Sequence, residues 1–351
     1  MIDPQPGALR LPAEWEPQAA ILLAWPHADT DWAANLAAVE QSYIALVSAI
    51  TEFQTAIVLV ASAEVCARAR VALDAAGIPR HRWRSIVLDY DDTWLRDSGP
   101  ITLVGDDGFV LLDFAFTGWG GKFAAARDDG LIKTLVTRGL FRRAQHRRIN
   151  WALEGGAIES DGAGSVLSTR RCLAQRHPHS SADELVDQLR THLAAERVLL
   201  LESGALEGDD TDAHIDTLAR FAPADAIVYQ SCTAHDDPHF AELAAMADEL
   251  RALRTRGGRP YTLHALPFAQ PITDASGRRL AASYANYLVV NAGVLVPAYS
   301  DPADALAANV IGQAHPGRRV VQVPCRPIIE QNGSLHCLTM QLPLGVLADV
   351  E

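Results

Sequence analysis

Strand-like and helix-like segments alternate from one end of the 351-residue chain to the other, and this alternation limits the fold more than any other feature. Short apolar runs such as AAILLAWP, FVLLDFAF, AIVYQSC and NYLVVNAGVLVPAY read as strands. Between them, apolar residues recur at three- and four-residue intervals, as in Trp32, Leu36, Val39, Tyr43, Leu46 and Ile50. This spacing predicts helices over 30–51, 181–194 and 239–256, with weaker ones over 62–76, 128–144 and 301–314. Ser181 and Glu184 carry the signature of a capping box at the start of the second. No linker, low-complexity tract or charge block divides the chain, so residues 1–351 read as one α/β domain. Polar residues interrupt the strand runs at Asp97, Glu154, His214, Asn286 and Cys337, a recurrence of roughly 50–70 residues, enough for one small β/α unit each. A ring of such units would bring all five to one centre.

Charge and cysteine usage narrow the partners. The formal net charge of −13 opposes nucleic acid or an anionic membrane as a partner and favours a cationic small molecule. The start, MIDPQPGALRLPAEWEPQ, is acidic and lacks the basic opening and apolar core of a secretory leader. No apolar run is read as long enough to span a bilayer, so a cytoplasmic location is expected. The 5 cysteines lie far apart with no C-x-x-C pair, which suggests neither a disulfide framework nor a thiolate zinc site. Cys66, Cys172, Cys232 and Cys325 read as small buried hydrophobes.

Cys337 differs, because it stands in EQNGSLHCLTMQLP. Read as a strand, this segment puts His336, Leu338, Met340 and Leu342 on one face and Leu335, Cys337, Thr339 and Gln341 on the other. The thiol is then on the less apolar face with His336 pointing away, so any base serving it comes from elsewhere in the chain.

Three other segments offer chemistry. In DTDAHID, an extended backbone would set Asp212, His214 and Asp216 on one face, and carboxylates flanking an imidazole favour its protonated form. A divalent-metal site on Asp209, Asp210, Asp212, His214 and Asp216 is the rival reading, and a solvated acidic loop is the bland one. DYDDTWLRDSGP places Asp91, Asp92 and Asp97 beside Trp94, which suits a planar cation held by bidentate hydrogen bonds and stacking; its alternative is an acidic turn neutralised by Arg96. In INWALEGG, Glu154 ends a buried strand, where an unpaired carboxylate is costly, so it either hydrogen-bonds the histidine or caps a turn.

Taken in order, DDTWLRD, LEGG, DTDAHID and GSLHC resemble the agmatine deiminase and bacterial, Porphyromonas-type peptidylarginine deiminase family of guanidine-modifying enzymes. LPAEWEPQAAILLAWP, GWGGKF and SYANYLVVNAGVLVPAY extend the resemblance over nearly the whole chain. It implies a pentein α/β-propeller, five ββαβ-type units in a pseudo-fivefold ring, working without metal or cofactor. By the same resemblance Cys337 is the nucleophile, His214 the general acid/base, Asp97 and Asp216 the carboxylates that grip guanidinium, and Glu154 the acid that orients the histidine. Substrate contacts are expected from Trp94, Asp97, Asp216, Asp91 and Asn286.

Agmatine, converted to N-carbamoylputrescine and ammonia, is the first expectation for the substrate. The sequence departs from many agmatine deiminases in AAARDDG after GWGGKF and in EQNGS before LHC. If Lys122 and Arg127 receive a carboxylate, arginine, peptidylarginine or another arginine derivative remains open. Amidinotransferase chemistry, a non-catalytic pentein binding protein and a homo-oligomeric assembly also remain open.

Overall fold

The computed structural model describes residues 9–348. Residues 1–8, which open the stretch read for a leader, and residues 349–351, the end of the span read as one domain, lie outside the described residues.

Four small sheets are built to one plan: two antiparallel strands, a helical connection, then a third strand parallel to the second. Ile101–Gly105, Gly108–Ala115 and Ala144–Ala152 make the first. Glu159–Ser160, Ser165–Thr169 and Arg197–Leu201 make the second, and Ala219–Ala222, Ala226–Gln230 and Thr262–Leu266 the third. Leu288–Val290, Gly293–Ala298 and Arg319–Pro324 form the fourth. The fifth sheet is assembled from both ends of the chain. Thr339–Pro343 pairs antiparallel with Gln18–Ala24, and Thr55–Val60 lies parallel to Gln18–Ala24 after the helix Leu36–Phe53. Trp83–Val87 adds an outer parallel strand. Five ββαβ units, the fifth closed by the last strand, form the pentein α/β-propeller.

Each connection is helical because parallel neighbours cannot be joined by a tight turn and need a crossover of a dozen or more residues. The periodicity read from the sequence marks the buried stripes. Leu36–Phe53 buries Val39, Tyr43, Leu46, Val47 and Ile50, and Ala182–Leu193 buries Leu185, Leu189 and Leu193 behind the Ser181–Glu184 capping box. Over 128–144 the helix is shorter than expected, Leu131–Thr137, and a strand already starts at Ala144. The span Asp31–Phe53 is long and apolar enough by composition to cross a bilayer, against the expectation that no such run exists. Its apolar stripe is a core face here.

The five recurrent polar residues do not interrupt strands. Each lies just upstream of the first strand of its unit, and all five are buried. Cys337 accordingly occupies a turn, closed by Thr339 N donating to His336 O at 3.0 Å, and the strand begins only at Thr339. The two-faced alternation expected around Cys337 therefore fails: Leu335, His336, Cys337 and Leu338 are all buried.

Beneath this centre lies a buried charge cluster. Arg220, 1 % exposed, donates to Glu159, to Glu14 Oε2 at 2.7 Å and to Tyr287 O at 2.6 Å. It thereby links the strands after Glu154, His214 and Asn286 to the N-terminal segment. Removing one partner of such a network leaves buried carboxylates uncompensated, at a cost of about 3–5 kcal/mol. Arg220→Met is expected to lower unfolding free energy by that amount, read as a reduced urea midpoint at unchanged denaturant slope.

Candidate active site

Asp97 lies in the helical turn Leu95–Ser98, Glu154 follows the strand Ala144–Ala152, and His214 and Asp216 bracket the start of the 3-10 turn Ile215–Thr217. Arg96 N donates to Cys337 O at 3.1 Å and fastens the Asp97 turn to the cysteine turn. The convergence can be measured at Gly156. A Cβ there would sit 2.6 Å from His214 Nδ1, 2.8 Å from Asp97 Oδ1 and 3.2 Å from Asp216 Oδ2, so three site residues meet around a position only glycine can occupy. The Gly156 amide donates to Asp97 Oδ1 at 3.0 Å. Cys337 Sγ is 3.6 Å from Asp216 Oδ2 and joins the same group.

Burial sets the protonation states. It raises the Asp97 carboxyl to about 6; His214 pulls it down, while Asp216 and Glu154 add repulsion. Burial likewise works to raise Glu154 and Asp216, yet both lie below the usual carboxylate range, Glu154 through His214 and Arg176 and Asp216 through His336 and His214. For His214, burial opposes the charged form but Asp97, Cys172 and Glu154 overcome it, so its pKa is well above the ordinary value. Cys337 is pushed well above the ordinary thiol value by burial and by the facing Asp216 and Asp97. These shifts favour a neutral thiol beside an imidazolium and carboxylates.

A pocket of about 140 Å³ opens above this floor. Asp97 and Cys337 lie at its base, Trp94, Trp119 and Phe123 supply aromatic walls, and Asp31, Asp92, Asp210 and Glu330 add carboxylates. Trp94 packs on Trp32 with ring centroids 5.5 Å apart. The EQNGS departure falls on this rim, where Asn332 Nδ2 donates to Asp210 Oδ2 at 2.7 Å. AAARDDG acts one step back: the Asp128 carboxylate accepts from the Asp91 and Asp92 amides at 2.8 and 3.1 Å and shapes the loop that carries Trp94.

Several expected residues take other positions. Asp91 is not among the wall residues; its Oδ2 accepts from Arg127 N at 2.8 Å. Asn286 serves the thiol and its turn: Nδ2 donates to Cys337 Sγ at 3.2 Å, and Oδ1 accepts from His336 N at 2.9 Å and Cys337 N at 3.3 Å. The DTDAHID backbone is not extended, since Asp212 and Ala213 adopt φ of 66° and 74°. Asp212 consequently turns away from His214 to Lys122 Nζ at 2.7 Å and Arg176 Nη1 at 2.8 Å. Asp209 accepts from Thr211 and Ala213 amides, and Asp210 from Asn332, so the five-residue metal reading is not assembled. Lys122 is paired as above, and Arg127 faces Asp89 and Asp91 at 3.7 Å.

Three residues belong to the site without having been singled out for it. Trp119 Nε1 donates to Asp97 Oδ2 at 2.9 Å, and the only signal was its place among the glycines of GWGGKF, where it takes φ 56°. His336, expected to point away, bonds the oxygen that faces the thiol: Nδ1 is 2.8 Å from Asp216 Oδ2 and Nε2 is 2.7 Å from Glu14 Oε2. Cys172, read as a plain buried hydrophobe, is buried but lies beside His214 and Glu154, with their ligand-type atoms all within 4.8 Å of one another. Its spacing from Arg176, four residues on along the helix Arg170–Arg176, put both on one face toward Glu154.

Comparison with known proteins places this geometry. Residues 10–343 match the family described as Porphyromonas-type peptidyl-arginine deiminase. The agmatine deiminase of Pseudomonas aeruginosa strain LESB58 is 32 % identical, with 97 % of each chain covered. A crystal structure of a putative arginine deiminase from Porphyromonas gingivalis is 42 % identical and superposes with a TM-score of 0.88, covering 97 % of this chain and 99 % of that one. A C. jejuni agmatine deiminase carrying a cysteine-to-serine change, with substrate bound, is 30 % identical with a TM-score of 0.89 over 99 % of both chains. With the family match spanning almost the full length and the fold shared throughout, this chain belongs to the Porphyromonas-type peptidyl-arginine deiminase family.

Proposed function

We propose that the chain is an agmatine deiminase, hydrolysing the guanidinium of agmatine to N-carbamoylputrescine and ammonia within one catalytic domain. The observation that carries this reading is the pocket's charge. Its base holds a thiol, and its ionisable wall residues are carboxylates, Asp31, Asp92, Asp97, Asp210 and Glu330, without a Lys, Arg or His among them. Such a wall favours a dication and opposes the α-carboxylate of arginine. The P. aeruginosa and C. jejuni agmatine deiminases support the same substrate. The 42 % identity to the putative arginine deiminase favours a second reading, an arginine derivative. Against it, Lys122 and Arg127, the cations that would meet a carboxylate, are engaged by Asp212, Asp89 and Asp91. Five unpaired thiols support a cytoplasmic setting for the reaction.

In the mechanism, the arriving guanidinium lies between Asp97 and Asp216, which position it by paired hydrogen bonds. It also cancels the repulsion those carboxylates exert on a thiolate, so Cys337 loses its proton to solvent and attacks the guanidinium carbon, with Asn286 Nδ2 donating to the sulfur. His214, already protonated, gives its proton to the departing nitrogen as the C–N bond breaks and ammonia leaves. The neutral imidazole then takes a proton from water, and hydroxide adds to the amidino-thioether carbon. Collapse breaks the C–S bond, the hydroxyl proton returns to the sulfur, and the ureido product departs. Glu154 holds His214 in its protonated form; Trp94 lines the cation's path.

Three measurements test this. Cys337→Ala is expected to keep the fold, seen as an unchanged thermal transition, while agmatine turnover falls by about 10⁴-fold or more; retained ammonia release in the variant would remove the mechanism, and no release from the wild type would favour a binding protein. A panel of agmatine, arginine and arginyl peptides, assayed for ureido product, separates the two substrate readings. The third concerns pH. Asp97 must be ionised to hold the cation, so kcat/KM is expected to fall as pH drops through about 6. Trp119 donates to the charged carboxylate, so Trp119→Phe raises that pKa and moves the acid limb to higher pH; an unmoved limb would detach Asp97 from it.

A further inference from the structure

The thiol of Cys172 has no part in the mechanism above, yet it lies in a small cluster of buried donors. Glu154 and Cys172 are at most 1 % exposed, and His214 is fully buried. His214 Nε2 and Glu154 Oε2 stand 3.6 Å apart, and neither has a hydrogen-bond partner. That separation is too long for a good hydrogen bond but close to the roughly 3.4–3.6 Å between two ligands of one tetrahedral zinc ion. Cys172 Sγ completes a set of three ligand atoms within 4.8 Å of one another, so small side-chain shifts bring all three into range. The donors are one sulfur, one nitrogen and one oxygen, the mixture that suits zinc and similar borderline-soft ions.

The position of each donor is fixed from outside the cluster. Thr169 Oγ1 accepts from Cys172 N at 3.3 Å and donates to Ala213 O at 2.7 Å, tying the cysteine's helix to the residue before His214. Arg176 occupies the other oxygen of the glutamate, with Nε 2.7 Å from Glu154 Oε1, and so aims Oε2 at the histidine. A second group of similar composition, Glu14, Glu159 and His336, differs on this point, because Arg220 already fills it.

We propose that Glu154, Cys172 and His214 form an inhibitory site for zinc or a chemically similar divalent ion, separate from the Cys337 thiol. Binding forms Zn–S, Zn–N and Zn–O bonds and releases the thiol proton and the imidazolium proton to solvent, leaving a fourth position for water. All three donors are buried behind the pocket, where Asp97 Oδ1 is 3.6 Å from His214 Nδ1, so zinc enters only as these side chains move. Once bound, it occupies the histidine that moves protons and sets a second cation beside the guanidinium site. The inhibition, though not the binding, rests on the deiminase reading.

The test uses cobalt as a spectroscopic stand-in for zinc, titrated into the full-length chain and into Cys172→Ala and Cys337→Ala variants without substrate. A thiolate-to-cobalt charge-transfer band in the wild type and in Cys337→Ala, absent from Cys172→Ala, is the expected result. In turnover assays zinc should inhibit reversibly, with chelator restoring activity, and Cys172→Ala should weaken inhibition about 10-fold or more. Cys172→Ser, nearly the same size, supplies the comparison should the alanine variant fold poorly. A band lost in Cys337→Ala and kept in Cys172→Ala, or no band in the wild type, overturns the proposal. Because cobalt binding is read without substrate, that outcome is distinct from failure of the deiminase assignment.

Discussion

Pairing of Gln18–Ala24 with Thr339–Pro343 is the contact on which the rest depends. Four of the five units are continuous in sequence and each supplies its own first strand. The fifth borrows its first strand from the far end of the chain, and that strand follows the Cys337 turn. Without this antiparallel pair the thiol has no fixed relation to His214, which lies in a different unit. The pair is reinforced across the centre by contacts that are not strand pairing. Arg96 N reaches Cys337 O, Asn286 Oδ1 takes the amides of His336 and Cys337, and His336 reaches Asp216 and Glu14.

Once closed, the ring must keep Asp97, Glu154 and Asp216 in a nearly dry interior, where isolated carboxylates are costly. The solution is a layered alternation of sign. Arg176 and His214 hold Glu154, and His336 holds Asp216 with Arg220 and Glu14 behind it. Asp97 is the least compensated of the three, with hydrogen bonds from Trp119 and Gly156 and an imidazole at 3.6 Å, and it alone is raised. A planar cation supplies what this arrangement lacks. In the proposed reaction the same arrival offsets the repulsion of Asp216 and Asp97, though not the burial, that keeps Cys337 protonated, so binding favours activation.

The order of elements, the helical stripes and the identity of the five centre residues were legible, because hydrophobic periodicity and a buried polar side chain each leave a mark on the sequence. Glu154 is an example: a carboxylate ending an apolar run demands a partner, and it has two. What was not legible depended on backbone that leaves regular geometry. Strand alternation misplaced His336 because residues 335–338 turn, and it misplaced Asp212 because positive φ at 212 and 213 rotates the chain. The contacts of Asp91, Trp119 and Cys172 were not legible for a related reason, since each is defined by a partner distant in sequence: Arg127, Asp97 and His214. Local pattern carries no information about which distant segment a turn will face.

The five equivalent positions also explain why this centre is asymmetric although its scaffold repeats. Each unit offers one buried site at the same point of its backbone, and a ring of like groups there would be unstable: five carboxylates would repel, and five amides could not activate a thiol. The chain instead places carboxylates at Asp97 and Glu154, an imidazole at His214, an amide at Asn286 and a thiol at Cys337. Carboxylates stand next to the imidazole on both ring nitrogens, at 3.6 Å each, while the neutral amide stands next to the sulfur. Exchanging the amide for a third acid would add another negative charge beside a thiol already raised by Asp216 and Asp97. An amide donor can support a forming thiolate without that penalty. The neighbour of the thiol is therefore constrained in charge more than in shape, and Asn286 hydrogen-bonds both the sulfur and the amides of its turn.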